Sequence, residues 1–275
     1  MTASMHVPHR DRQASSIPLS DFLAQSIDAA RSVKEPFFHL EFDRVFPDDT
    51  YARILESMPE AADYRPMHGR SRPEDRAATR VKIDLFPEYI RNLSPEQRAL
   101  WREVGGALCS ESVKQAFVRR LAPGLAKRFG SAFAEVGLYP IPILTRDVPG
   151  YRIPPHTDTS WKGVTVQLYL PKNEANIDVG TVFHERAPDG SMPKRSKMRF
   201  APNTGYAFAV GDDTWHSVDV VRKGVKSRDS ILLTYFVDQG ALRILRNRGK
   251  RIGNFVLNEI RRGIRRFDNR PRKSI

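Results

Sequence analysis

Cysteine is almost missing from this chain: Cys109 is the only one in 275 residues. That excludes an intramolecular disulfide and a zinc site built on several thiolates, and a reducing cytoplasm is the compartment expected. No run approaches the ~18 uninterrupted apolar residues of a membrane span. Residues 1–16, MTASMHVPHRDRQASS, lack the apolar stretch of a secretory signal and read as a flexible polar arm. Acids are scarce, with 32 Asp and Glu against 45 Lys and Arg. The imbalance is local. From Ala241 onward twelve Lys and Arg face only Glu259 and Asp268, so the tail carries +10 of the net +13. A basic balance confined to one terminal segment does not mark a nucleic-acid surface on the rest of the chain.

Residues 17–135 read as a helix-rich part of the same domain as residues 136–240. PLSDFLAQSIDAARSV spaces Leu19, Phe22, Leu23 and Ile27 helically, with Ser20 or Asp21 near the cap. FFHLEFDRVF reads as a strand and PDDTYARILESM as a helix opened by Pro47 and acids. YRPMHGRSRPEDRAATRVKI is polar, basic and broken by proline, which predicts a long loop, and the stretch from Pro95 to Phe129 predicts two or three helices.

Residues 136–240 change character. VGLYPIPILTRDV, GVTVQLYLP, VGTVFHE, TGYAFAV, WHSVDVV and SILLTYFV are short β-rich runs separated by Gly, Pro, Asn and Asp. Such spacing predicts an antiparallel sandwich or small barrel, here a jelly roll with helices in front of it, so the fold class expected is α+β. Residues 241–275 read as a basic amphipathic helical tail. Ile252, Phe255, Val256, Ile260, Ile264 and Phe267 form its stripe, with Arg261, Arg262, Arg265 and Arg266 beside or opposite it. Such a helix either packs its stripe on the core or lies on an anionic membrane surface.

One short stretch carries the chemistry. In IPPHTDTSW, His156 and Asp158 stand two apart, which on a strand puts both on one face. His216 follows 58 residues later in DDTWHSVDVV, and Arg228 and Ser230 open the next β-run, SRDSILLTYF. Two histidines and one carboxylate form the facial set that holds Fe(II) with positions left open. An arginine with a nearby hydroxyl suits a carboxylate, because guanidinium donates two parallel hydrogen bonds and keeps its charge. If VRKGVKS is a hairpin turn, Arg228 stands about three residues along from His216 on a neighbouring strand. That is ~10 Å, the reach of a five-carbon diacid.

These residues resemble the catalytic core of the Fe(II)/2-oxoglutarate-dependent dioxygenases, in their prolyl-hydroxylase-like branch. PGYRIPPHTD is similar to the branch's Gly-Tyr-x-Ile-x-x-His-x-Asp run, and GVTVQLYLP, VGTVFHE and PNTGYAFAVGDDTWHSV come next in the family's order. FFHLEFDRVFPDDTYARILESMP resembles the branch's opening strand and helix. The resemblance covers about 200 residues and implies a double-stranded β-helix core. It implies that His156, Asp158 and His216 bind iron, and that Arg228 and Ser230 hold the distal carboxylate of 2-oxoglutarate. O2 would be the second cosubstrate, ascorbate a candidate reductant, and succinate and CO2 the coproducts. Asp158 occupies the position that halogenating members fill with a small residue, so hydroxylation is the expected outcome.

Further candidates surround this set. Tyr151 and Tyr169 are candidate cosubstrate contacts or plain core, and Trp215 either packs over the metal site or anchors its strand. His184 reads as pocket-lining or partly exposed. Two basic loops could recruit an anionic substrate: one with Arg70, Arg72, Arg76 and Arg80, the other with Lys194, Arg195, Lys197 and Arg199. Arg146 is the better single candidate, because a charge on a core strand needs a reason. The expected activity is hydroxylation of an unactivated C–H bond in a small or carrier-linked, anionic metabolite. The alternatives are an oxygenase acting on a protein side chain or nucleic acid, and a non-catalytic cupin-like binding module.

Overall fold

The computed structural model describes residues 17–67 and 78–238. The expected arm, most of the first basic loop (Arg70, Arg72 and Arg76 included) and the amphipathic tail lie outside the described residues. The chain runs α1 (Leu19–Ala29), β1 (Arg31–Val33), β2 (His39–Phe42), α2 (Asp48–Glu56), β3 (Arg65–Pro66), β4 (Arg80–Asp84), α3 (Pro87–Ile90), α4 (Pro95–Leu108), α5 (Glu111–Arg120) and α6 (Ala122–Phe129). Then come β5 (Leu138–Asp147), β6 (Ile153–His156), β7 (Lys162–Tyr169), β8 (Thr181–His184), β9 (Lys194–Lys197), β10 (Gly205–Ala209), β11 (His216–Val218) and β12 (Arg228–Val237).

The strands form a double-stranded β-helix. A major sheet has the order β1-β2-β10-β7-β12-β5-β4-β3 and a minor sheet the order β6-β11-β8-β9. The pairings in both are antiparallel. The part before residue 136 thus supplies four strands of the major sheet as well as the helices. None of the described helices is long and apolar enough to cross a membrane.

Local chemistry explains most of the boundaries. α4 begins at Ser94, whose hydroxyl accepts from the Gln97 amide while the Gln97 side chain accepts from the Ser94 amide, with Pro95 at the first helical position. α5 is capped by Ser110 in the same sense. α1 differs from expectation twice. Its cap is Pro18, without a side-chain bond, and it stops at Ala29 because Arg31–Val33 pairs with β2 instead. The segment expected as one long loop holds β3 and β4, and the basic loop at Lys194 holds β9, the exposed edge of the minor sheet.

Two cores result. The outer core lies between the helices and the major sheet, where Leu144, Val164, Val166, Leu168, Ile231 and Leu233 meet Leu100, Trp101, Val104 and Phe117. α4 comes so close that a Cβ on Gly105 would stand 2.4 Å from the Leu85 carbonyl oxygen. The inner core lies between the sheets and is aromatic: Phe37, Tyr151, Tyr169, Phe183, Phe200, Tyr206 and Phe208.

Candidate active site

β6 is an edge strand, which is where a strand can carry Pro154 and Pro155 without losing ladder bonds. Its last residue, His156, stands directly opposite His216 of β11, and the two rings lie 4.3 Å apart between centroids. The chain leaves the strand after His156. Asp158 therefore does not share a strand face with it, as the His-x-Asp spacing predicts, but reaches the same point from the loop beyond. His156, Asp158 and His216 each place one ligand atom within 4.8 Å of the others.

The donor set fits a divalent transition metal. His156 Nδ1 donates to the Pro154 carbonyl at 2.9 Å and His216 Nδ1 to the Thr214 carbonyl at 3.0 Å. A carbonyl can only accept, so each neutral ring carries its proton on Nδ1 and its lone pair on Nε2, the form that ligates. Asp158 is largely buried, and burial alone would favour its neutral form. The Lys162 ammonium outweighs that, together with the nearby His216 ring and hydrogen bonds from Lys162 Nζ (2.7 Å) and Thr165 Oγ1 (2.6 Å). Its carboxyl is held well below the usual range, so it is an anion at any physiological pH.

β11 and β12 are not hairpin neighbours. β11 belongs to the minor sheet and β12 to the major one, so VRKGVKS is a crossover rather than a turn. Arg228 is related to His216 by another route. Fully buried Arg228 donates from Nη2 to Thr181 Oγ1 at 3.1 Å. Thr181 stands opposite Val218 and Phe183 opposite His216. The guanidinium is therefore anchored two residues along from the level of His216, about 7 Å at strand rise.

Arg228 also donates from Nε to the Val179 carbonyl at 2.7 Å and from Nη1 to Asp147 Oδ2 at 2.8 Å. Ser230, two residues on and equally buried, bonds the Thr145 hydroxyl at 2.9 Å and accepts from Gln167 Nε2. Tyr169 points to the same place: its hydroxyl bonds Thr181 Oγ1 at 3.1 Å and accepts from the Thr181 amide at 3.0 Å. Tyr151 is buried beside them, with the Arg80 guanidinium 4.2 Å over its ring, and burial pushes its hydroxyl up to about 12. Arg228, Ser230, Tyr151 and Tyr169 thus belong to one interior cluster.

Other candidates fall elsewhere. Arg146 alternates with Asp147 on β5 and so faces away from the inner core. Its reason for being there is Asp229, bonded at 2.6 Å, and the Tyr64 ring 4.6 Å beneath it. His184 is buried rather than partly exposed. It lies outside the metal-competent cluster, bonded to the Met192 carbonyl and the Ser217 hydroxyl. Lys194 and Lys197 pair with Asp219, Arg195 with Glu185 and Arg199 with Glu174. Trp215 lines an open groove of about 860 Å³ that also takes in Asp158, Phe37, Arg128 and Arg186. Arg128 fixes the near wall by donating to the Ser160, Lys162 and Val210 carbonyls.

Asp147, the buried acid bonded to Arg228, is a residue of this cluster that the sequence does not single out, and Arg80 stands out there only as one basic-loop residue. The signal lies in TRDV, where a strand carries two adjacent charges. Adjacent residues face opposite ways, so one of them has to point inward.

No protein-family profile matches the chain, and no curated protein matches it. Solved structures do. A Trichoplax adhaerens prolyl hydroxylase, in complex with a hypoxia-inducible-factor oxygen degradation domain peptide, aligns over 79% of this chain and 88% of its own at 12% identity and TM-score 0.50. The fold is that of the 2-oxoglutarate/Fe(II) oxygenases. A Pseudomonas putida prolyl-4-hydroxylase aligns at 16% identity, 78% and 98% coverage and TM-score 0.46. A Burkholderia pseudomallei 2OG-Fe(II) family oxidoreductase aligns at 18%, 74% and 86%, and 0.43.

Proposed function

We propose that this oxygenase fold is an active Fe(II)- and 2-oxoglutarate-dependent hydroxylase, working on an unactivated C–H bond of a small or carrier-linked metabolite with an anionic group. The observation that carries the reading is the convergence of His156, Asp158 and His216, with both Nδ1 protons already committed to carbonyls. Bound together, Fe(II) and 2-oxoglutarate supply oxidative decarboxylation to succinate and CO2, coupled to hydrogen abstraction from the substrate. The protein's part is placement. His156, Asp158 and His216 would hold the metal on one side, leaving the other open. Arg228 would hold the distal carboxylate, with Ser230 and Tyr169 fixing its surroundings. The aromatic inner core keeps water from that end of the site.

The groove beside Asp158 is the entry for substrate. Among the described residues, no acid pairs with its Lys34 or Arg186, whereas Lys127 is matched by Asp213 at 2.7 Å and Glu185 by Arg195 at 2.7 Å. Its Arg128 and Asp212 form no ion pair either but interact with each other, which leaves Lys34 and Arg186 as the unbalanced charges at the mouth, and these favour an anionic substrate. The groove's size favours a second reading, a macromolecular substrate such as a peptide laid along it, and the Trichoplax hydroxylase is one whose structure holds a peptide.

Anaerobic titration with Fe(II) and 2-oxoglutarate tests the activity class. The expected result is a visible metal-to-ligand charge-transfer band that disappears in His156→Ala. Folded protein that binds neither would leave the binding-module alternative standing. Succinate release with anionic metabolites against peptide pools then separates the two substrate readings.

A further inference from the structure

We infer that Arg80 keeps the cosubstrate clamp charged: by neutralising Asp147, it leaves Arg228 with an unbalanced positive charge to offer a carboxylate. This rests on the reading of Arg228 as the anchor of the 2-oxoglutarate distal carboxylate. The three residues form a row across adjacent strands, Arg80 of β4 opposite Asp147 of β5, and Asp147 opposite Arg228 of β12. Asp147 is fully buried. It accepts from Arg80 Nε at 2.5 Å, from Arg80 Nη2 at 2.9 Å and from Arg228 Nη1 at 2.8 Å.

Two guanidiniums therefore share one carboxylate. Among the described residues Asp147 is the one acid in contact with either, so the cluster carries one net positive charge. A buried charge without a counter-charge is costly, and a bound anion would supply the missing partner. Arg228 has donors left for it. Its terminal nitrogens carry two N–H each, and each nitrogen spends one, on Asp147 and on Thr181. Arg80 lies over the Tyr151 ring, which fixes it in the position that neutralises Asp147. Without Arg80, Asp147 and Arg228 would form a neutral pair with no charge to spare for a ligand. Arg80 is thus a positioning residue that acts on the cosubstrate through Asp147.

The test is calorimetric titration of the anaerobic, Mn(II)-loaded full chain with 2-oxoglutarate, comparing wild type, Arg80→Met, Asp147→Asn and the double variant. Arg80→Met is expected to weaken 2-oxoglutarate about tenfold or more, the loss of at least one decade of affinity, while Mn(II) affinity is unchanged. Adding Asp147→Asn to Arg80→Met is expected to restore affinity to within about threefold of wild type, because the amide oxygen still accepts from Arg228 but no longer cancels its charge. A merely structural role would make the double variant worse. Arg80→Met within about threefold of wild type, or a double variant as weak as Arg80→Met, overturns the inference. If Arg80→Met does not fold, Asp147→Asn alone decides: it raises the cluster's net charge, so tighter binding supports the inference and equal or weaker binding overturns it. Wild-type protein that takes Mn(II) but no 2-oxoglutarate overturns the functional reading, whereas wild-type binding that Arg80→Met leaves intact overturns this inference alone.

Discussion

Along β12, Ile231, Leu233 and Tyr235 point into the helical layer, while Arg228, Ser230 and Thr234 point between the sheets, and all six are buried. The same division runs along β7, with Val164, Val166 and Leu168 on one side and Thr165, Gln167 and Tyr169 on the other. Burial does not distinguish the two faces, but chemistry does. The outer face is joined by apolar contact, which is non-directional and proportional to area. The inner face is joined by hydrogen bonds with fixed partners: three groups converge on Thr181 Oγ1, from Tyr169, Tyr206 and Arg228. A buried polar group is costly when left unpaired, so each of these side chains has one geometry to adopt. One face of the sheet attaches it to the rest of the molecule, and the other holds a fixed hydrogen-bonded interior around Arg228, where the proposed function places the ligand.

The sharpest way to break that contrast is to remove an inner ligand. His216→Ala is expected to lower Fe(II) affinity by at least ~100-fold, above the cost of disturbing an outer partner of a metal ligand. Competition with a metal-sensitive dye measures it, and a loss below about tenfold would mean that His216 is not a ligand. The matching outer substitution, Leu233→Ala, is expected to cost about 3 kcal/mol of stability through lost burial and a cavity. The check is a lower urea midpoint at unchanged slope. Metal affinity of its folded fraction should stay at the wild-type level, and a parallel fall would show that the two faces are not independent.

Ser230→Ala tests the inner face by hydrogen bonding rather than charge. It removes the partner shared by Thr145 and Gln167. The expected cost is about 1–2 kcal/mol, for donors left buried and unmatched. It should also weaken 2-oxoglutarate several-fold without touching metal affinity, which calorimetry with and without metal separates.

The sequence carries one half of this architecture better than the other. β5, β7, β8, β10, β11 and β12 each coincide with a β-rich run, because β-branched and aromatic residues between turn formers mark strands wherever they lie. What VRKGVKS joins is not legible, since a short run rich in lysine and arginine serves equally for a hairpin or for a crossing between sheets. His156, Asp158 and His216 are legible through their order, even though Asp158 reaches the site from a loop rather than a strand face. Arg80 and Asp147 are not, because they meet only through the registers of β4, β5 and β12, which no local pattern encodes.

Arg146 offers the smallest and most discriminating test, because it sits one position from Asp147 on the same strand and faces the other way. Its guanidinium stacks on Tyr64 and bonds Asp229, which also accepts from the Ser227 hydroxyl at 2.6 Å, so Asp229 keeps a partner when the arginine is removed. Both side chains of the pair retain some contact with water, at 19% and 14% exposure, which lowers the value of the interaction. Arg146→Met should therefore cost about 1 kcal/mol or less, and should leave both iron and 2-oxoglutarate affinity at wild-type levels. A loss of 2-oxoglutarate binding in that variant would put Arg146 in communication with the site through the sheet. The alternation of faces along β5 would then no longer suffice to separate what attaches the sheet from what holds the ligand.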